Sequence, residues 1–543
     1  MTEIGNITAA FCVRGRPAAP GLAAGTVLVQ APGRGQRRRA GTPVEEQDAL
    51  RAALGRASAE LTDLMECLAD PETSAILAFQ VALLEDPNLS EPAFQGIADG
   101  QPAERAFQRA IAALVADYRA AEDEYFAARA SDLEDLGERV IRVLHGKTTI
   151  PPVLPVGGIL LVEDLSPSRF LSMDWSENQA VALRRGSPSA HVAMLARARQ
   201  VPMVVALGDV PVATGTPALL DGETGTLVLN PGSDEYAAFR QRRIALRGQH
   251  RQDARLSLLP ARTRDGEAVS VHLNIADVGE LRRLDPALCD GIGLVRTEFL
   301  FHRRRRLPDE AEQLEAYRRI LHWAEGRPVT IRTLDVGGDK PVAGLTLVGE
   351  SNPFLGLRGI RLSLAHPAVF RVQLRALLQA ARFGFLRIMV PMVSVPREMV
   401  TVRALVTEVA AELRGEGKAV GDCQLGMMVE VPAAALELEA FDTDFVSVGS
   451  NDLVQYLLAV GRDSSAVAAL ADVCEPAVLR LIAAVVDSAR RRGIPVSLCG
   501  DAGADPRALP RLLAAGLRSV SVVPAAVGRV KRIIADWSIH DHH

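Results

Sequence analysis

Residues 424–452 read QLGMMVEVPAAALELEAFDTDFVSVGSND. Two short apolar runs, QLGMMV and DFVSVG, flank a helical stretch. Each run ends in polar residues: Glu430 after the first, Ser450, Asn451 and Asp452 after the second. An unbroken apolar strand, a helix and a second such strand form the pattern of a parallel sheet covered on both faces. The pattern extends in both directions. VHLNIA, GIGLV, PVTIRTL, LRIMVP, QLGMMVE, DFVSVG, PVSLCG and SVSVV alternate with helical segments from about residue 270 to the end of the sequence. Eight strands over roughly 270 residues predict a (β/α)8 barrel. A doubly wound sheet is the competing fold, disfavoured because no Gly-rich dinucleotide turn follows the first strand.

The front of the chain differs in texture. GRPAAPGLAAGTVLVQ (15–30) is a Gly/Pro turn running into a strand. From Val44 to about Leu144 apolar residues recur at helical spacing with almost no glycine, which predicts a block of about four helices. Strand patterns return at GILLVEDL, QAVALRR, PMVVAL and GTLVLN. The fold class expected is therefore α/β and multidomain: an α/β domain carrying an inserted helical bundle, followed by the barrel. The expected boundaries are 1–30 with 146–232 for the α/β domain, 31–145 for the insertion, 233–260 for a polar linker helix and 261–543 for the barrel.

Composition narrows the function. At 543 residues, 48% apolar and 23% charged, with net charge −5, the chain lacks the basic excess of a nucleic-acid binder. The six cysteines show no CxxC spacing and read as free thiols of a reducing compartment. MTEIGNITAAFCVRGRP has too short an apolar run for a signal peptide, and no window of about eighteen apolar residues predicts a span. A cytoplasmic protein is expected.

Barrel enzymes work at the C-terminal ends of their strands, and charged residues fall there repeatedly. Arg296, Thr297 and Glu298 follow GIGLV; Arg332 and Asp335 follow PVTI; Glu430, then Asn451 and Asp452, then Cys499 and Asp501 end later strands. Any one arginine at a strand end is ordinarily a surface ion pair, and a lone buried cysteine is ordinarily a small hydrophobe. Their joint placement carries the argument. Arg296, Arg332 and Arg358 can fork onto carboxylate or phosphate. Glu430 and Asp452 are hard oxygen ligands suited to Mg²⁺. Cys499 can give or take a proton at carbon. Together these describe a small phosphorylated acid as ligand.

GSPSAHVAMLARARQVPMVV (186–205) places His191 behind small residues at the start of a helical segment. Metal ligand, general base and phosphoryl acceptor are open to it. The helix N-terminus, with free N–H groups, suits the third, whereas an idle loop histidine is the bland alternative.

These motifs resemble Enzyme I of the phosphoenolpyruvate-dependent phosphotransferase system. LSPSRF and GSPSAHVAMLARARQVPMVV resemble its phosphohistidine domain. GIGLVRTEFLF, IRTLDVGGDKP, NPFLGLRGIRL, MVEVPAAA, VGSNDLVQYLLAVGRD and LCGDAGAD resemble its phosphoenolpyruvate site, in the family's order. LLEDPNL and the 104–146 segment resemble its docking domain for the phosphocarrier HPr. The likeness runs over nearly the whole chain. It implies that His191 is phosphorylated and then serves an HPr-like protein, with pyruvate released. It implies that Arg296, Arg332, Asn451 and Arg462 bind phosphoenolpyruvate with Arg358 close by, that Glu430 and Asp452 hold Mg²⁺, and that Cys499 protonates the enolate. A homodimer through the barrel is also implied, with no nucleic acid or membrane partner.

Some positions depart from the family pattern. Ser189-Ala190 stands where Thr-Ser is usual, Gly461 where an Asp is common before the arginine, and Asp501 where a Glu follows Cys-Gly. HRRRRLP (302–308) reads as a solvated charge run beside an anionic site. Two rivals remain. A pyruvate phosphate dikinase or synthase needs an ATP-binding domain of a few hundred residues, for which no space is expected. A regulator without turnover is disfavoured by the full set of ligating residues.

Overall fold

Two sheets organise the chain. The computed structural model describes residues 10–29, 41–66, 77, 80–120, 124–146, 154–177, 179–188, 190–301, 306–337, 342, 344–346, 350, 352–461, 467 and 470–542. They divide into two units, Met1–Ala245 and Leu246–His543.

The first unit holds β1 (Phe11–Arg14), β2 (Arg16–Ala19), β3 (Leu22–Val29), β4 (Ile159–Val162), β5 (Ala180–Leu183), β6 (Met203–Val205), β7 (Pro217–Asp221) and β8 (Thr226–Leu229). They form one sheet in the order β1-β8-β7-β3-β4-β5-β6-β2. The strands β3 to β6 run parallel, while β7, β8, β1 and β2 pair antiparallel. Sequence patterning gives one strand before residue 30, whereas the described residues there form three. Pro17 lies in β2, which is an edge strand, where a missing N–H breaks no central ladder. The strand β7, PALLD, also escaped notice because its apolar run is short and opens on proline.

The helical block is inserted between the parallel neighbours β3 and β4. Its helices include Pro43–Glu66, Pro87–Ala98, Ala103–Ala120 and Glu124–Leu144. Leu50, Ala53, Ala57 and Leu61 fall on one face of the first and are buried, as are Ala103, Phe107 and Ile111 in the third. In LLEDPNL, Asp86 caps the second helix by accepting the Asn88 N–H at 2.9 Å, and Pro87 supplies a preset first turn.

The second unit is a closed parallel barrel of β9 (Ser270–Ile275), β10 (Ile292–Val295), β11 (Val329–Arg332), β12 (Leu386–Val390), β13 (Cys423–Val429), β14 (Val446–Gly449), β15 (Val496–Cys499) and β16 (Ser519–Val522). All eight predicted strands are present in order. Each strand reads as an apolar run because both faces are buried. One face packs on the surrounding helices, as Ile292, Val329, Ile388 and Val448 do. The other contributes to a small separate cluster of Leu294, Met389, Met428, Phe445 and Cys499. Burying each large aliphatic side chain is worth about 1.5–3 kcal/mol. A truncation such as Leu374→Ala in the outer layer therefore costs about 2–5 kcal/mol. The polar helix Ser233–Ser257 ends against the barrel: Arg532 reaches Asp253 at 2.6 Å and the Lys531 Nζ donates to the Ser257 carbonyl at 2.7 Å. Among the described residues no helix is long and apolar enough to cross a membrane.

Candidate active site

The strands β10, β11, β13, β14 and β15 end in the polar residues picked out from sequence, and the fold brings most of them into one buried ionic cluster. Arg332, the last residue of β11, is 6% exposed. Its Nη2 lies 3.1 Å from the Glu298 Oε1 and its Nη1 2.8 Å from the Asp335 Oδ2. Asp335 also takes Arg358 through two contacts, Nε to Oδ1 at 3.2 Å and Nη2 to Oδ2 at 2.9 Å. The Arg358 Nη1 donates to the Asp452 Oδ1 at 3.3 Å and to the Tyr456 hydroxyl at 3.1 Å, and that hydroxyl donates to the Phe354 carbonyl at 2.6 Å. Arg358 is thus held mainly by protein groups. Arg296, by contrast, is exposed just past β10.

Electrostatics follow from this crowding. Burial pulls the Arg332 guanidinium down, but Glu298, Asp335, Glu430 and Asp452 outweigh burial and hold it above the ordinary arginine range. Arg358 behaves likewise, with Asp335 and Asp452 opposing its burial. Glu430 is pushed up to about 8, first by burial and then by Asp452 and Asp335. Its Oε1 accepts the Met392 N–H at 2.6 Å, while its buried Oε2 has no hydrogen-bond partner. Among the described residues four buried carboxylates, Glu298, Asp335, Glu430 and Asp452, face two buried guanidiniums, Arg332 and Arg358. With Glu430 ionised these groups carry two more negative than positive charges, the charge of a divalent cation, and the donors are hard oxygens. Glu430 and Asp452 therefore fit Mg²⁺, which takes one or two carboxylates and completes its shell with water and substrate oxygens. No group of three or more His, Cys, Asp or Glu able to hold a metal occurs among the described residues.

Cys499 ends β15, 1% exposed, with its Sγ 3.6 Å from the Val448 carbonyl. Burial pushes the thiol up to about 11, the Ser447 hydroxyl pulls it down and Glu430 raises it further. The thiol is therefore protonated at neutral pH. Gly500 follows at φ +112°, and a Cβ there would collide with the Ser450 Oγ, so the turn needs glycine. Asn451 is the second residue of the helix Ser450–Leu458, which follows β14, and its Nδ2 donates to the Asp501 Oδ2 at 3.2 Å while its Oδ1 accepts the Asp501 N–H at 3.0 Å. The shorter acid after Cys-Gly thus pairs with Asn451.

His191 begins the helix His191–Ala198, with Ala190 as an N-cap that offers no side-chain bond. The Arg197 Nη1 donates to the Pro188 carbonyl at 3.0 Å and the Ala18 carbonyl at 2.5 Å, tying the GSPSA loop to β2. The His191 side chain, Ser189, Arg462 and residues 302–305 lie outside the described residues. Arg306, at the end of the basic run, is paired with Glu312 at 3.0 Å, as expected of a solvated charge.

Sequence reasoning listed Glu298 and Asp335 without a role and missed Tyr456 altogether. Tyr456 lies on the helix Ser450–Leu458, four residues past Asp452. That spacing, which puts both on one helix face, was the available signal.

Comparison with known proteins bears on the whole chain. Residues 250–539 match the family described as PEP-utilising enzyme, PEP-binding domain. Residues 14–129 match PEP-utilising enzyme, N-terminal, and residues 154–225 match PEP-utilising enzyme, mobile domain. A phosphoenolpyruvate-protein phosphotransferase of Geobacillus stearothermophilus is 36% identical over 537 residues, covering 96% of this chain and 93% of that protein. One from Staphylococcus carnosus is 34% identical over 492 residues, covering 89% and 86%. A multiphosphoryl transfer protein of Rhodobacter capsulatus is 39% identical over 479 residues, covering 86% of this chain and 57% of that protein.

Proposed function

Since the chain belongs to the family of phosphoenolpyruvate-protein phosphotransferases, we propose that His191 takes the phosphoryl group of phosphoenolpyruvate and passes it to a histidine of an HPr-like phosphocarrier. Phosphoenolpyruvate-dependent phosphotransfer, the first step of a phosphotransferase system, is the family's activity. The residue roles are our reading.

One observation supports it above others: buried guanidiniums, a carboxylate oxygen without a partner and a protonated thiol meet at the ends of neighbouring barrel strands. In this reading Arg332 and the exposed Arg296 attract the phosphate and carboxylate of the substrate, with Arg462 and Asn451 beside them. Arg358, held by Asp335 and Asp452, fixes the wall of the site. Glu430 and Asp452 hold Mg²⁺, which when bound supplies a hard positive charge for phosphoryl and enolate oxygens. The His191 Nε2 attacks phosphorus in line, the P–O bond to the enol oxygen breaks, and a P–N bond forms. Cys499 then gives its proton to the enolate methylene carbon, leaving pyruvate and a thiolate that must be reprotonated before the next turnover. In the second half-reaction the P–N bond to His191 breaks as one forms on the carrier.

The reading places carrier docking on the helical block 31–145. It also includes a cytoplasmic location and a homodimer through the barrel, as the family likeness implies. Incubation with labelled phosphoenolpyruvate, Mg²⁺ and an HPr-like protein should yield pyruvate and acid-labile phosphohistidine on both proteins. Absence of both products would overturn the reading.

A further inference from the structure

Four polar side chains are shut away between the barrel wall and two of its helices. Thr297 follows β10, Gln313 and Tyr317 lie on the helix Glu310–Trp323, and Gln373 lies on the helix Pro367–Ala380. None is more than 1% exposed. Burying this much polar surface is costly unless every group finds a partner, and here they form one continuous chain. The Gln373 Nε2 donates to the Thr297 Oγ1 at 3.3 Å and to the Tyr317 hydroxyl at 3.2 Å. The Tyr317 hydroxyl donates to the Gln313 Oε1 at 3.1 Å, and the Gln313 Nε2 donates to the Pro308 carbonyl at 3.2 Å. The Thr297 hydroxyl donates to the Arg332 carbonyl at 3.0 Å, and the Gln373 Oε1 accepts the Leu334 N–H at 3.0 Å. The amide and backbone N–H groups can only donate and the amide and backbone oxygens only accept, which fixes the sense of the bonds along the chain.

The backbone that this chain grips is that of the ionic cluster. Thr297 sits between Arg296 and Glu298, and the gripped Arg332 carbonyl and Leu334 N–H bracket the turn from Arg332 to Asp335. A single amide, that of Gln373, thereby ties the end of β10 to the end of β11. Apolar residues of similar shape would fill the same space, but they would leave the Leu334 N–H and the Arg332 carbonyl without these partners. They would not hold the two turns in register.

We propose that Gln373, Thr297 and Tyr317 are positioning residues for the substrate: they touch none of it, but set where Arg332 stands against Glu298 and Asp335. The inference rests on the reading of the barrel mouth as the phosphoenolpyruvate site. Burial keeps the Tyr317 phenol far above its ordinary value, so it stays a donor at any working pH.

Thr297→Val keeps the side-chain shape and deletes the hydroxyl, whereas Thr297→Ser keeps the hydroxyl and deletes a methyl group. Calorimetric titration with phosphoenolpyruvate and Mg²⁺, alongside thermal unfolding, separates the two. The valine variant strands both the Arg332 carbonyl and the Gln373 Nε2, so the turn that carries Arg332 shifts and binding should weaken about ten-fold, while the serine variant stays within about two-fold of the parent. Parental affinity in Thr297→Val, or equal weakening in both variants, overturns the inference, since either outcome makes the cluster a matter of packing alone. Should Thr297→Val fail to fold, Tyr317→Phe, which keeps the ring and removes the phenol, is held to the same criterion. A parent chain that binds no phosphoenolpyruvate would remove the underlying reading, and this inference with it.

Discussion

Arg358 and Asp335 meet through two contacts, Nε to Oδ1 at 3.2 Å and Nη2 to Oδ2 at 2.9 Å, inside a buried ionic cluster. The same Oδ2 lies 2.8 Å from Arg332, so one carboxylate orients two guanidiniums. Removing it should do more than delete an ion pair. Asp335→Asn is expected to destabilise the chain by about 3–5 kcal/mol, because two buried cations lose a shared partner. Denaturant unfolding measures this, and a loss under about 1 kcal/mol would mean that the cluster relaxes around the amide.

Glu430 gives a pH dependence with a definite sign. Its ordinary value is 4.5 and burial raises it to about 8, so between these values the unfolded chain releases a proton that the folded chain retains. Without metal, this group's contribution to stability is therefore full at low pH, falls as pH rises through that window and is flat above it. Unfolding curves at about pH 5 and about pH 8 should show the fall in the parent and a smaller one in Glu430→Gln. Added Mg²⁺ should stabilise the parent more at the higher pH and leave the variant unmoved. Equal Mg²⁺ stabilisation of both proteins would take Glu430 out of the metal site.

Cys499 should be slow to alkylate, being buried and protonated up to about pH 11. Its iodoacetamide reaction should accelerate with pH across the alkaline range. Cys499→Ala should lower pyruvate formation by about 100-fold while phosphoenolpyruvate affinity changes less than about two-fold. An unaltered turnover would remove the thiol from the mechanism.

His191→Ala should take up no label from phosphoenolpyruvate, and the barrel of that variant should still bind the substrate. Label that persists on another histidine would reassign the acceptor.

Much of this was legible from residues 424–452 alone. Strand-helix-strand texture with polar strand ends is a local property, set by which faces are buried, and so the eight barrel strands could be read off in order. The strands β1, β2 and β7 were not legible, because edge and antiparallel pairing is decided by distant partners and leaves only short or proline-marked runs. Glu430, Asp452 and Cys499 announced themselves by position at strand ends. What position could not supply was division of labour among the charges. Arg296, Arg332 and Arg358 look alike in sequence, yet one is exposed and two are locked against carboxylates. Gln373 and Tyr317 read as ordinary helix residues until two helices and two strand ends close around them. The amino-acid order determined which groups stand at the mouth of the barrel. Only the tertiary structure decided which carboxylate answers which guanidinium, because hydrogen bonds and desolvation act over a few ångströms between residues that the chain keeps far apart.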